Sequence, residues 1–174
     1  GGRGWAVLLE RLRECPRDGE GAGVWRHPRR MAVFLGDIID RGPRIREALH
    51  LVHGMVDAGQ AQCIMGNHEF NALGWETPSP EGSGRQFVRE HSPRHARQLQ
   101  ETLQQFDAHP VDWRDFLGWF HELPLLLDGE RFRVVHACWD NKHIKFLKQN
   151  FDGITPGFLS LGNDKDNGGE TYKA

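Results

Sequence analysis

Apolar positions along this chain fall into helical stripes and short continuous runs, and the two kinds alternate. Trp5, Leu8, Leu9 and Leu12 stand at i, i+3, i+4 and i+7, which predicts an amphipathic helix closed by Pro16 and the Gly-rich stretch 18–23. Residues 31–35, MAVFL, form a continuous run of strand length, which predicts a strand covered on both faces, as in a parallel sheet. Pro43 suits the first turn of a helix. Ile45, Ala48, Leu49, Val52, Met55 and Val56 then keep helical spacing as far as Gly59, a C-cap residue. A second run, AQCIM at 61–65, predicts another buried strand. Both runs end in polar motifs, GDIIDRGP and GNHE. That edge is where ligands sit in open α/β sheets, so the pattern predicts an α/β fold.

The middle of the chain reads differently. Residues 76–93 carry Pro, Gly and Ser with few apolar positions and predict a surface loop. A polar helix is expected over 94–106 and a Trp-rich one over 113–122, stopped before Pro124. Together they form an insertion or cap-like segment at about 76–122 within a single domain of residues 1–174. The stretch LLLDGERFRVVHACWD predicts two strands joined at Asp128-Gly129. The tail from Gly157 onward is rich in Gly, Asn and Asp and is expected to be poorly ordered. There is no internal repeat.

Composition narrows the partners. The 22 Lys and Arg against 24 Asp and Glu leave a net charge of −2, so no global field calls for nucleic acid or an anionic membrane. Three scattered cysteines, Cys15, Cys63 and Cys138, make no disulfide framework and fit a reducing cytoplasm. No run reaches the roughly 18–20 apolar residues of a membrane span. Neither a signal peptide nor an initiating Met is present, and the chain opens directly into the 5–12 helix, so it is expected to be a fragment. Ten His against one Tyr directs attention to metal and acid–base chemistry.

Three polar clusters stand at the predicted strand ends: Asp37, Asp40 and Arg41; Asn67, His68 and Glu69; and His136 with Cys138 and Asp140 behind it. Carboxylate, amide oxygen and imidazole make a ligand set for Mn²⁺, Fe or Zn²⁺. An Arg beside them offers a planar fork to phosphate, and a His next to a ligand can act as a general acid. These are the parts of metal-assisted phosphoester hydrolysis.

In that order, GDIIDRGP at 36–43, GNHE at 66–69 and VVHACWD at 134–140 resemble the second, third and fourth signatures of the calcineurin-like metallophosphoesterases. The likeness is greatest to the branch shared by Ser/Thr protein phosphatases and symmetrical diadenosine tetraphosphatases. The resemblance implies a sandwich of mixed β-sheets flanked by helices, and two divalent metal ions, Mn²⁺ ahead of Fe, Zn²⁺, Ni²⁺ or Co²⁺. It also implies attack by a metal-bound hydroxide on a phosphomonoester, a phosphoprotein or a dinucleoside polyphosphate. Asp37 would bridge the metals, with Asn67 and His136 on the second. His68 would protonate the leaving group, aligned by Asp40. Arg41, with Asn67, would contact the substrate phosphate.

Two family features are missing from their places in this chain: an Asp-x-His pair ahead of the 31–35 strand, and a late His ligand, since no histidine follows His143. The expectation is therefore a domain lacking its first strand and its C-terminal end. The alternative is an inactive relative that binds phosphate or nucleotide through half a metal site. The remaining candidates take structural readings. His50 and His53 are expected to be solvated or packed, and the i, i+4 pair His91 and His95 is expected not to hold Zn²⁺. Cys138 is expected to be a buried apolar residue, and Trp113, Trp119 and Phe120 to cover the core. The stretch 163–170 fails the spacing of a calcium loop.

Overall fold

The computed structural model describes residues 25–163. The helix expected at 5–12, Cys15 and, Asn163 apart, the stretch 163–170 lie outside these residues. Strand β1 (Ala32–Phe34) is followed by helix α1 (Ile45–Asp57), strand β2 (Ala61–Cys63) and helix α2 (Asn67–Glu76). Next come α3 (Pro93–Phe106), α4 (Pro110–Glu122), the strand pair β3 (Leu126–Asp128) and β4 (Arg133–Val135), then α5 (Asn141–Asn150) and α6 (Pro156–Asn163). β1 and β2 run parallel, with Ala32 opposite Ala61 and Phe34 opposite Cys63, whereas β3 and β4 are antiparallel. The backbone N–H of Met65 donates to the carbonyl of Pro124 at 2.9 Å, tying the end of β2 to the approach to β3. The fold is α/β, with two small sheets of opposite kind flanked by helices.

The helices form where the apolar stripe and the caps agree. α1 buries Ile45, Leu49, Val52 and Met55 on one face, each contributing roughly 1.5–3 kcal/mol by transfer from water. α3 starts at Pro93 behind Ser92, whose hydroxyl accepts from the backbone N–H of His95 at 3.4 Å. α4 starts at Pro110, three residues before the Trp-rich stretch, and sinks Trp113, Phe116, Trp119 and Phe120 into the core. α1 packs on β2 and α3, while α2 packs on α4 and α6. Among the described residues, no helix is long and apolar enough to cross a membrane.

Two expectations are corrected and one is refined. Among the described residues, the 31–35 strand is covered on one face only: Phe34 is buried, but Met31, Val33 and Leu35 are 56%, 37% and 49% exposed. β3 and β4 pair as the expected hairpin, through a connection of four residues, 129–132. Residues 156–163 form helix α6, where disorder was expected, because Phe158 and Leu159 are buried in the core.

Candidate metal and phosphate site

The loop after β1 is built from backbone that few residues adopt. Gly36, Asp37, Asp40 and Gly42 all have positive φ, at 76°, 56°, 69° and 111°. Asp tolerates the left-handed region better than most side chains. At Gly36 there is no alternative to glycine, since an added Cβ would collide with the backbone of Gly66. The two motif loops therefore touch through their glycines, which brings residues 37–41 against 66–69.

Glu69 holds that contact together. It is fully buried, and its Oε2 accepts from the N–H groups of Asp37 (2.8 Å) and Gly66 (3.1 Å). Its Oε1 accepts from Ile38 at 2.7 Å and more weakly from Ile39 at 3.4 Å. Burial pushes the Glu69 carboxyl above its ordinary range, and the backbone N–H donors oppose the shift. The functional weight of Glu69 was not read from the sequence, although its place three residues after Gly66, at the third position of α2, is that of a capping-box glutamate. Cys63, also buried, has its thiol pushed up to about 12 by desolvation and then by Glu69, so it is inert.

Around this frame the acidic and imidazole groups are ordered in a chain. The Nδ1 of His68 lies 2.7 Å from Oδ2 of Asp40, both side chains being buried. The other Asp40 oxygen, Oδ1, accepts from the hydroxyl of Thr102 at 2.7 Å. The hydrogen bond to Asp40 raises the His68 pKa; burial opposes the rise, and the Asp37 charge adds to it. His68 Nε2 is left facing Asp37, 3.9 Å from Oδ2. The Asp37 Oδ1 accepts from the His68 backbone N–H at 3.2 Å.

His136 arrives from the far side, one residue past β4. Its Nδ1 is 2.5 Å from the carbonyl oxygen of Leu35, an acceptor, so Nδ1 carries a proton and Nε2 is the ring nitrogen turned to the site. That Nε2 stands 3.1 Å from Asn67 Oδ1 and 3.5 Å from Asp37 Oδ2. Three side-chain atoms able to ligate a metal, from three segments of the chain, thus converge on one point. The set comprises one imidazole, one carboxylate and one amide. Among the described residues, no three His, Cys, Asp or Glu side chains group closely enough to hold an ion by themselves.

Arg41 is exposed between buried Asp40 and Gly42. The other candidates stand elsewhere. Cys138 is exposed, not buried, because the chain leaves the sheet at Val135. Asp140 caps α5, accepting from the N–H groups of Lys142 (2.7 Å) and His143 (3.2 Å), and these bonds hold its pKa down. His50 meets Asp112 at 3.0 Å, and His53 lies edge-on to Trp119. His91 stacks on Trp75 and Phe87, and His95 donates to the carbonyl of Glu90, so the two do not face a common point. A cavity of about 410 Å³ opens beside Asn67 and His136, walled mainly by apolar side chains, including Phe70, Leu125, Ile144 and Phe158.

The profile of the calcineurin-like phosphoesterase family matches residues 2–152. A symmetrical bis(5'-nucleosyl)-tetraphosphatase of Vibrio cholerae serotype O1 is 31% identical over 125 residues, 70% of this chain and 40% of that protein. Proteins of the same name from Aromatoleum aromaticum and Janthinobacterium sp. are 26% and 25% identical, covering 71% and 75% of this chain and 41% and 42% of their own length. This chain spans about two fifths of the length of the curated relatives it matches. It belongs to the calcineurin-like phosphoesterase family, and its similarity runs to the diadenosine tetraphosphatase branch.

Proposed function

We propose that this chain carries the phosphate-handling centre of a metal-dependent phosphohydrolase whose substrate is a dinucleoside polyphosphate. The observation that carries the reading is the convergence of His136 Nε2 on Asn67 Oδ1 and Asp37 Oδ2, with Nδ1 committed to the Leu35 carbonyl. These three side chains would hold one divalent ion; a mixed oxygen and imidazole set suits Mn²⁺. Bound there, the metal supplies Lewis-acid polarisation of a phosphoryl oxygen and acidifies a water.

The protein's own residues do the rest. His68 is fixed through Nδ1 to Asp40, which leaves Nε2 as the position from which a proton reaches the leaving-group oxygen. The hydrogen bond to Asp40 raises its pKa, which favours the protonated form that an acid needs. Arg41, exposed beside Asp40, presents a planar donor fork to the phosphate. The apolar cavity next to Asn67 and His136 has room for the nucleoside that follows the phosphate chain, which favours a nucleotide over a phosphoprotein. The names of the relatives support the same substrate class.

The test pairs elemental analysis of the dialysed protein with hydrolysis of diadenosine tetraphosphate and p-nitrophenyl phosphate, with and without Mn²⁺. Metal-bound protein with Mn²⁺-dependent turnover is the expected result. Bound metal and nucleotide with no turnover would replace this reading with that of a half-site binding protein. Asp37→Asn keeps a side chain that tolerates positive φ but removes the charge, so it is expected to lower Mn²⁺-dependent hydrolysis by about 100-fold or more with the fold intact. Activity surviving that change removes Asp37 from the metal.

A further inference from the structure

The polar groups of the loop that carries Arg41 are met by one face of α3. Thr102, fully buried, donates its hydroxyl proton to Asp40 Oδ1 at 2.7 Å and accepts from the Asp40 backbone N–H at 2.9 Å. Gln105 Oε1 accepts from the N–H of Ile45 at 2.6 Å, and its Nε2 donates to the carbonyl of Gly42 at 2.9 Å. Residues three apart on a helix share a face. Two neighbouring side chains of α3 therefore make four hydrogen bonds, closing the loop at Asp40 on one side of Arg41 and at Gly42 and Ile45 on the other.

We infer that Thr102 and Gln105 are positioning residues, a clasp through which α3 sets the orientation of the His68 ring and the place of Arg41. The functional meaning of the clasp rests on reading His68 as the acid and Arg41 as the phosphate contact; its geometry does not. A carboxylate held by one hydrogen bond can turn about its side-chain torsions. A second donor on the opposite oxygen fixes its plane, so Asp40 Oδ2 stays aimed at His68 Nδ1, 2.7 Å away. The same hydroxyl satisfies the backbone N–H of a residue at φ 69°, a conformation that persists only where its surroundings enforce it. The clasp also ties the middle segment of the chain to the acid, because a shift of α3 moves Asp40 and, with it, His68.

The test is an NMR experiment on the metal-free chain with isotope-labelled histidine. The wild-type protein is expected to show a downfield, exchange-protected His68 Nδ1–H resonance. Thr102→Val, which keeps the shape and drops the hydroxyl, is expected to shift that resonance upfield and speed its exchange with water by about 10-fold or more. Thr102→Ser restores it. Gln105→Leu leaves the His68 signal in place but raises exchange of the Ile45 amide by a similar factor. A purely structural role would lower the melting temperature of Thr102→Val and leave the His68 resonance at its wild-type position, which would overturn the clasp. Should that variant not fold, the wild-type protein decides: a Thr102 hydroxyl proton without a nuclear Overhauser contact to the Asp40 amide also overturns it. None of these readouts needs metal or turnover, so loss of the clasp and loss of the phosphohydrolase reading are separate results.

Discussion

The two sides of the site are held by different means. On one side, Asp37 and Asp40 sit on a loop and His68 in the first turn of α2, and the backbone N–H groups around them are gathered by the buried Glu69 carboxylate and by Thr102. On the other, His136 stands half-buried at the end of a three-residue strand, touching the Leu35 carbonyl, Asn67 and Asp37. The first is a network in which removing one member leaves buried donors without acceptors. The second is a tether whose parts can turn to water. The geometry of the proposed acid is thereby built into the fold, whereas the third donor of the proposed metal set is attached at the margin, where its loss costs the fold little.

The largest effect expected from this difference is that of Glu69→Gln. The substitution keeps the volume but turns one acceptor oxygen into an NH₂ group facing backbone donors. With at least one of the Ile38 or Asp37 N–H groups stranded in a buried site, stability is expected to fall by about 2–4 kcal/mol. A urea titration should show a lower midpoint with an unchanged slope. A midpoint within error of the wild type would mean that the loops hold one another without Glu69, and the contrast between the two sides would disappear.

An effect of smaller size is expected from pH. His68 has its pKa raised in the fold, chiefly by the hydrogen bond to Asp40. In the unfolded chain a histidine titrates near about 6.5. A raised folded value means that the contribution of the pair is fully present below the unfolded pKa and is lost as pH rises through the folded one. In the metal-free protein, unfolding midpoints should therefore decline as pH climbs from about 6.5 through the folded value, and His68→Gln should flatten that portion of the curve. A wild-type profile as flat as that of the variant would show that His68 is neutral beside Asp40.

What the sequence revealed of this site follows from distance along the chain. Asp37, Asp40 and Arg41 lie within five residues between two glycines, so local pattern was enough to find the loop. The existence of strands β1 and β2 and of α1 was legible for the same reason. The role of Glu69 was present as a signal, three residues beyond Gly66, and was passed over in favour of the neighbouring histidine. Thr102 and Gln105 could not be read, because their partners lie 60 to 63 residues away and nothing in a polar helix marks which face is turned inward. Helix α6 was missed because Gly157 and Gly162 weigh against a helix. Burial outweighs them: Thr155 accepts from the Phe158 N–H at 3.2 Å, Phe158 and Leu159 are in the core, and a Cβ at Gly162 would strike the Phe70 ring. The face of β1 that no described residue covers was equally invisible, since an apolar run does not say what packs on it.

The smallest expected effect on stability, and the sharpest on the site, belongs to His136→Ala. Its hydrogen bond to Leu35 ends on a carbonyl of a half-exposed residue, which water can reach once the ring is gone. The loss is expected to stay within about 0.5–1.5 kcal/mol, the net worth of one ordinary hydrogen bond. Metal retention after dialysis should nonetheless fall sharply, because only Asp37 and Asn67 remain of the converging set. The His68–Asp40 hydrogen bond, built from other elements, should keep its downfield signal. If His136→Ala destabilises the chain as much as Glu69→Gln, the strand carrying His136 is part of the same network and the margin is no margin. If metal is retained while stability is unchanged, the ion is held without the imidazole, and Nε2 has another use.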